Sequence, residues 1–276
     1  MYADTIDTLA DQAAAKLAAQ KRSLTGHLVR SMLAGMYVGA AIVLIFTVGG
    51  TMVSDAPGAV RLLMGVCFGG TLSIVIFAGS ELFTGNNLVM TVGALSRTVA
   101  PGALGRVWTV SFAGNLLGSI LLALAVAVSG VLSKAPAKEF VLGVVAAKMA
   151  APAMELFFRG VLCNALVCLA VWMGLRTKDE TARLVLIFWC LFAFIGAGFE
   201  HSVANMTLLA IGLFLPHDPN LVSWAGFARN LTVVTLGNIV GGALLIALPY
   251  WYVAQAQRRM LAVRPVEEDA RAAVAG

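Results

Sequence analysis

The sequence predicts an all-α polytopic membrane protein: six transmembrane helices in an inverted 3+3 repeat with two broken helices. Three observations predict it. Apolar runs long enough to cross about 30 Å of hydrocarbon recur along a chain that is 60% hydrophobic and 12% charged over its 276 residues. Two of the runs are interrupted, at Ala78-Gly79-Ser80-Glu81-Leu82-Phe83-Thr84-Gly85-Asn86 and at Ala197-Gly198-Phe199-Glu200-His201-Ser202-Val203-Ala204-Asn205. The interruptions align with each other, Gly79 with Gly198, Glu81 with Glu200 and Asn86 with Asn205. Ionisable groups inside a bilayer are costly and mark functional sites.

The composition excludes an ordinary soluble domain. The first apolar run begins behind Ser23 with no small-residue cleavage pattern, so no cleaved signal peptide is expected. Cys67, Cys163, Cys168 and Cys190 all fall inside apolar runs without metal-ligand spacing, and read as packing residues. No cofactor, no metal site and no nucleic-acid partner is expected.

Residues 1–25 read as an amphipathic cytoplasmic helix. Ile6, Leu9, Ala13 and Leu17 share one face, with Asp4, Asp7, Asp11 and Lys16 elsewhere. Too polar to span, it suits the membrane surface or a neighbouring subunit. Residues 26–256 form the transmembrane domain, and 257–276 a charged cytoplasmic tail. The first span covers 28–51, where Gly35 and Gly39 form a close-packing face. The second covers 60–95 with its break at Thr84-Gly85-Asn86-Asn87. The third covers 107–132 and holds Gly114-Asn115-Leu116-Leu117-Gly118. A polar connector, 133–139, leads to an apolar stretch carrying Lys148. The fourth span covers 153–175, and the fifth 184–215, resuming at Asn205 after its break. The sixth covers 230–253, with Gly237-Asn238-Ile239-Val240-Gly241 inside it and Tyr250, Trp251 and Tyr252 as an interfacial anchor. The Lys and Arg distribution puts both termini in the cytoplasm.

Spans one to three match spans four to six at three ordered places: Ala34 with Arg159, Glu81 with Glu200, and Gly114 with Gly237. An odd number of spans per half inverts one half relative to the other, and the two breaks then meet near the middle. A broken helix offers unpaired N–H donors and a positive dipole end, which suits a small anion. Thr84, Asn164, Asn238, Asn205, Asn115 and Ser202 add neutral polar groups, and His201 can change charge near physiological pH. Lys148 sets a positive potential at a mouth or snorkels to an interface. Glu81 and Glu200 are expected to bond backbone amides of their own breaks. The two Gly-Asn-x-x-Gly motifs serve the site or serve helix packing alone. Phe68, Phe83 and Phe194 suit apolar constrictions.

These residues resemble the formate/nitrite transporter family. The likeness is carried by Ala78 to Asn86, Lys148 with Ala151-Pro152, Leu156-Phe157-Phe158-Arg159-Gly160-Val161-Leu162-Cys163-Asn164, Phe199 to Met206, and Thr235-Leu236-Gly237-Asn238. Within the family the sequence is most similar to the bacterial nitrite-channel branch. The resemblance implies an aquaporin-like protomer in a homopentamer, with one pore per protomer. It implies a gate at Leu82-Phe83-Thr84 and narrow apolar points at Phe68, Leu72, Val167 and Phe194. His201 would be the central histidine, with Thr84, Asn164 and Asn238 nearby and Lys148 at the outer approach. Glu200 and Asn205 complete the expected site. Expected permeants are nitrite, or else formate or hydrosulfide, crossing as the anion or as an acid transiently protonated at His201. Protons and the lipid bilayer are further expected partners, and a bacterial inner membrane the expected location. Rival readings are an aquaporin-like neutral-solute pore, a coupled exchanger, and a membrane enzyme using Glu200 and His201. Neither break contains Asn-Pro-Ala, and no nucleophile stands at suitable spacing, so no enzyme activity is expected.

Overall fold

The computed structural model describes residues 2–260, and every regular element among them is a helix. In chain order these are α1 (Tyr2–Arg22), α2 (Leu24–Met52), α3 (Val60–Phe68), α4 (Thr71–Phe77), α5 (Phe83–Leu95), α6 (Pro101–Ser129), α7 (Ala137–Ala150), α8 (Ala153–Leu175), α9 (Glu180–Ala197), α10 (Ser202–Phe214) and α11 (Trp224–Val240). The last helix passes through a π-helical stretch, Gly241–Ala247, and ends at Met260. Six helical segments among the described residues are long and apolar enough to cross a membrane: α2, α3 with α4 (Val60–Phe77), α6, α8, α9 and Trp224–Met260. The chain is therefore a multi-pass membrane protein.

Local sequence sets the helix ends. Ser23, Asp179 and Ser223 each accept N–H bonds in the first turn of the helix that follows, capping α2, α9 and α11. Pro101 opens α6, where its missing N–H is harmless, and Gly130 closes it in the left-handed region.

The glycine motifs are backbone contacts. A Cβ at Gly35 would overlap the Asn115 carbonyl, and one at Gly118 the Met32 carbonyl, so α2 and α6 touch main chain to main chain. In the second half, a Cβ at Gly237 would overlap the Phe157 carbonyl and one at Gly241 the Val161 carbonyl, so α8 and α11 do the same. Held between these pairs, α10 buries every residue from Ser202 to Gly212.

Three local expectations are corrected. The second span does not break at Thr84–Asn87: those residues lie in α5, and the non-helical stretch runs from Ala78 to Leu82. Gly79, at φ 68°, turns the chain before the polar residues are reached. Likewise α10 starts at Ser202 rather than Asn205. The connector before Lys148 is shorter than predicted, since α7 begins at Ala137.

The apolar face of α1 packs on its own chain. Ile6, Leu9 and Ala13 are fully buried, and Ala13 meets Gly93 of α5. Tyr2 stacks on Trp172 and Tyr250, whose rings are 4.0 Å apart, and the Tyr2 N–H donates to Gln257 at 3.0 Å. Of the three aromatic residues expected at an interface, Tyr252 alone is exposed. Residues 261–276 of the expected tail lie outside the described residues.

Candidate permeation site

Each interruption passes through a glycine in the left-handed region, Gly79 at φ 68° and Gly198 at φ 76°, with a glutamate two residues later. One asparagine at each interruption bonds a carbonyl and an N–H released there and ties them to a neighbouring helix. Asn115, from α6, donates from Nδ2 to the carbonyls of Ser31 (2.7 Å) and Glu81 (2.9 Å) and accepts from the Phe83 N–H (2.9 Å). Asn238, from α11, donates to the carbonyls of Gly160 (2.8 Å) and Glu200 (2.9 Å) and accepts from the Ser202 N–H (2.9 Å). The Glu81 N–H reaches the Arg30 carbonyl and the Glu200 N–H the Arg159 carbonyl, both at 3.2 Å. Non-helical backbone is tolerable at membrane depth only when it is satisfied in this way.

Because those amides are taken, the two carboxylates bond side chains, not backbone as the sequence suggested. Glu81 pairs with Lys16 at 2.6 Å and accepts from Asn86 Nδ2 at 3.3 Å. Glu200 pairs with Lys148 at 2.7 Å and accepts from Asn205 Nδ2 at 2.6 Å. Asn205 Nδ2 also donates to Asn230 Oδ1, and Asn230 Nδ2 donates to the Lys148 carbonyl, which ties α7 to the second interruption.

His201 closes the second interruption and caps α10. Its Nδ1 accepts from the Ala204 N–H at 3.1 Å. The neutral ring therefore carries its proton on Nε2, which donates to the Thr84 hydroxyl oxygen at 3.0 Å. One face stacks on Phe194 with ring centres 5.8 Å apart, and Phe194 meets the Phe68 ring edge-on at 5.6 Å. Asn164 stands behind Thr84, donating to the carbonyls of Thr84 (3.3 Å) and Asn238 (2.7 Å).

Three spaces adjoin this junction. The central one, about 10 Å³, is lined by Phe68, Leu72, Leu82, Val167, Phe194 and His201 among others, room for about one water. A cavity of about 410 Å³ shares Phe194 and His201 with it and holds Arg61, Lys148, Arg159, Glu200 and Asn205. A second cavity, about 350 Å³, shares Leu72 and Leu82 with it and holds Lys16, Glu81, Asn86 and Arg183. Two open, cationic chambers are thus separated by a narrow apolar throat with one imidazole in its wall.

The expected site residues are accordingly divided. Phe68, Leu72, Leu82, Val167, Phe194 and His201 meet at the throat. Lys148, Glu200 and Asn205 line the larger cavity. Thr84, Asn164 and Asn238 are fully buried supports around His201 and its helix. Phe83 does not reach the throat: it opens α5 and packs on Trp108 and Phe112 at 6.4 and 5.3 Å. The expected gate at Leu82-Phe83-Thr84 contributes only Leu82 to the throat lining. Sequence reasoning missed Lys16, Arg61 and Asn230. Lys16 lies on the polar face of an amphipathic helix, where a lysine reads as solvated. Its signal was the alignment of the two interruptions, which sets Glu81 against Glu200 and so asks for a cation beside Glu81 once Lys148 faces Glu200.

Residues 3–252 match the family model described as formate/nitrite transporter. The chain is 42% identical over 262 residues to the nitrite transporter NirC of Escherichia coli (strain K12), covering 95% of this chain and 96% of that one. Among solved structures it is similar to an FNT family ion channel, with TM-score 0.86, 43% identity, and 91% of this chain and 98% of that chain covered. It is also similar to a pentameric formate channel with formate bound, with TM-score 0.75, 27% identity, and coverage of 85% and 98%. The matched region spans the first five membrane segments, both interruptions and most of the sixth segment, and the chain belongs to the formate/nitrite transporter family.

Proposed function

We propose that this chain is a nitrite channel of a bacterial inner membrane, a homopentamer of aquaporin-like protomers with one pore through each. The observation that carries the reading is the single imidazole in an apolar throat between two cationic cavities. The similarity to a nitrite transporter favours nitrite, and the similarity to a pentameric formate channel supports both the assembly and formate as a second permeant. The matched roles of Asn115 and Asn238, Lys16 and Lys148, and Gly79 and Gly198 support an inverted repeat with two broken helices. Both termini then lie in the cytoplasm, α1 and the Lys16 cavity face inward, and the Lys148 cavity faces outward. Residues 26–256 are the channel domain in this reading.

The cavities draw the anion in by charge. At the throat a bare anion loses its water, which costs several kcal/mol even after relaxation. A hydrogen bond from neutral His201 recovers about 1.5–3 kcal/mol of that, so the bond alone leaves a deficit. A proton carried with the nitrite removes most of the rest. His201 supplies the path for that proton when the anion replaces Thr84 at Nε2. Completing the transfer requires Nδ1 to take up a proton in place of the Ala204 N–H bond, so the cap of α10 and the charge of the ring are coupled.

The test is solute uptake into proteoliposomes. Nitrite entering faster than formate, with no glycerol flux, is the expected result. Water or glycerol flux without anion flux overturns the reading in favour of a neutral-solute pore.

A further inference from the structure

Arg61 is the second residue of α3 and lines the larger cavity. A Cβ at Gly198 would stand 3.6 Å from Arg61 Nη1 and 3.8 Å from Cζ, so the guanidinium lies directly over that glycine. From Gly198 the chain runs through Phe199 and Glu200 to His201. The guanidinium thus stands at the start of the segment that ends at the throat.

Its charge is the one left over. The cavity is lined by three cations, Arg61, Lys148 and Arg159, against one carboxylate, Glu200. Lys148 is paired with Glu200 at 2.7 Å and Arg159 with Glu155 at 2.6 Å. Arg61 has no ion pair or side-chain hydrogen bond among the described residues. Its donors form a rigid planar fork with nothing of the described protein in it. Such a fork matches an anion with two oxygens on one centre, one near-linear bond to each, whereas a single-atom anion draws both N–H groups onto one acceptor in bent, weaker geometry.

We propose that Arg61 is an outer recognition site for planar two-oxygen monoanions, which it holds by a bidentate pair ahead of Lys148 and His201. The site thereby favours nitrite and formate over hydrosulfide. This rests on the anion-channel reading above.

The experiment compares full-length wild type, Arg61→Lys and Arg61→Met in proteoliposomes of neutral lipid. Initial uptake is measured against concentration for nitrite and for hydrosulfide, with the flux of protein-free vesicles subtracted. Arg61→Lys keeps the charge and loses the fork. Its half-saturation for nitrite is expected to rise about threefold or more, at unchanged maximal rate and unchanged hydrosulfide uptake. Arg61→Met is expected to weaken both anions. A purely structural role moves the maximal rate with folded yield and leaves the nitrite-to-hydrosulfide ratio alone. Unchanged half-saturation and ratio in both variants overturn the proposal, and identify Arg61 as a headgroup-facing surface arginine. A wild type that carries neither anion removes the channel reading and this site with it, whereas a conducting wild type with indifferent variants removes this site alone.

Discussion

His201 Nε2 lies 3.0 Å from the Thr84 hydroxyl, a contact between the second interruption and the helix that follows the first. The ring is fixed from its other side by the Ala204 N–H. A group held at both nitrogens has one orientation, and its one exchangeable proton is held on Thr84 beside the throat that the ring lines.

His201→Asn separates the two bonds. Asparagine is a good N-cap, so α10 keeps its first turn, but nothing replaces Nε2. Nitrite uptake is expected to fall by about tenfold or more, with the thermal unfolding midpoint in detergent close to that of wild type. Uptake equal to wild type would show that the ring is only a cap.

Asn115 and Asn238 each satisfy three buried backbone groups. Truncation leaves those groups bare, at about 1–3 kcal/mol apiece before relaxation or water entry. Asn115→Ala and Asn238→Ala are both expected to lower the unfolding midpoint clearly, and by similar amounts. If one is silent, the two interruptions are not held by the same device.

The Lys148–Glu200 pair is mostly buried, with side-chain exposures of 19% and 4%. Lys148→Met leaves a carboxylate unpaired, a change of about 3–5 kcal/mol in such settings. The double variant Lys148→Met with Glu200→Gln is expected to recover most of that stability, while uptake at low nitrite stays reduced. Thermal unfolding of the full double-mutant cycle measures the coupling. Additive losses would mean the two groups do not act as a pair.

Gly118→Ala and Gly237→Ala each drive a methyl group into a neighbouring main chain. Both are expected to abolish recovery of monodisperse protein on size-exclusion chromatography. Gly105→Ala, with nothing within 4 Å of its Cβ position, is the matched control and is expected to be neutral or slightly stabilising. Normal yield from Gly118→Ala would contradict main-chain contact between α2 and α6.

Most of the architecture was legible because bilayer physics writes it in bulk hydropathy. Runs of some twenty apolar residues leave few other readings, and the repeated glycine, glutamate and asparagine positions located both interruptions. The exact break was misplaced because Thr84, Gly85 and Asn86 are poor helix formers by composition, yet Asn115, distant in sequence, anchors the helix start at Phe83. Phe83 was expected at the throat from its residue type and from the gate that the family resemblance implies at Leu82-Phe83-Thr84, and neither says which face of α5 a ring takes. The partners of Glu81 and Glu200 were hidden for a related reason. Lys16 and Lys148 are brought in by tertiary packing of α1 and α7, which no local pattern encodes.

The most direct test of the central claim records nitrite uptake and internal pH together in proteoliposomes, for wild type and His201→Asn. The account predicts that wild type takes up nitrite with matching internal acidification and little current, more steeply as external pH falls, and that the variant loses both. Nitrite uptake carried as current without acidification, or unchanged by His201→Asn, would contradict it.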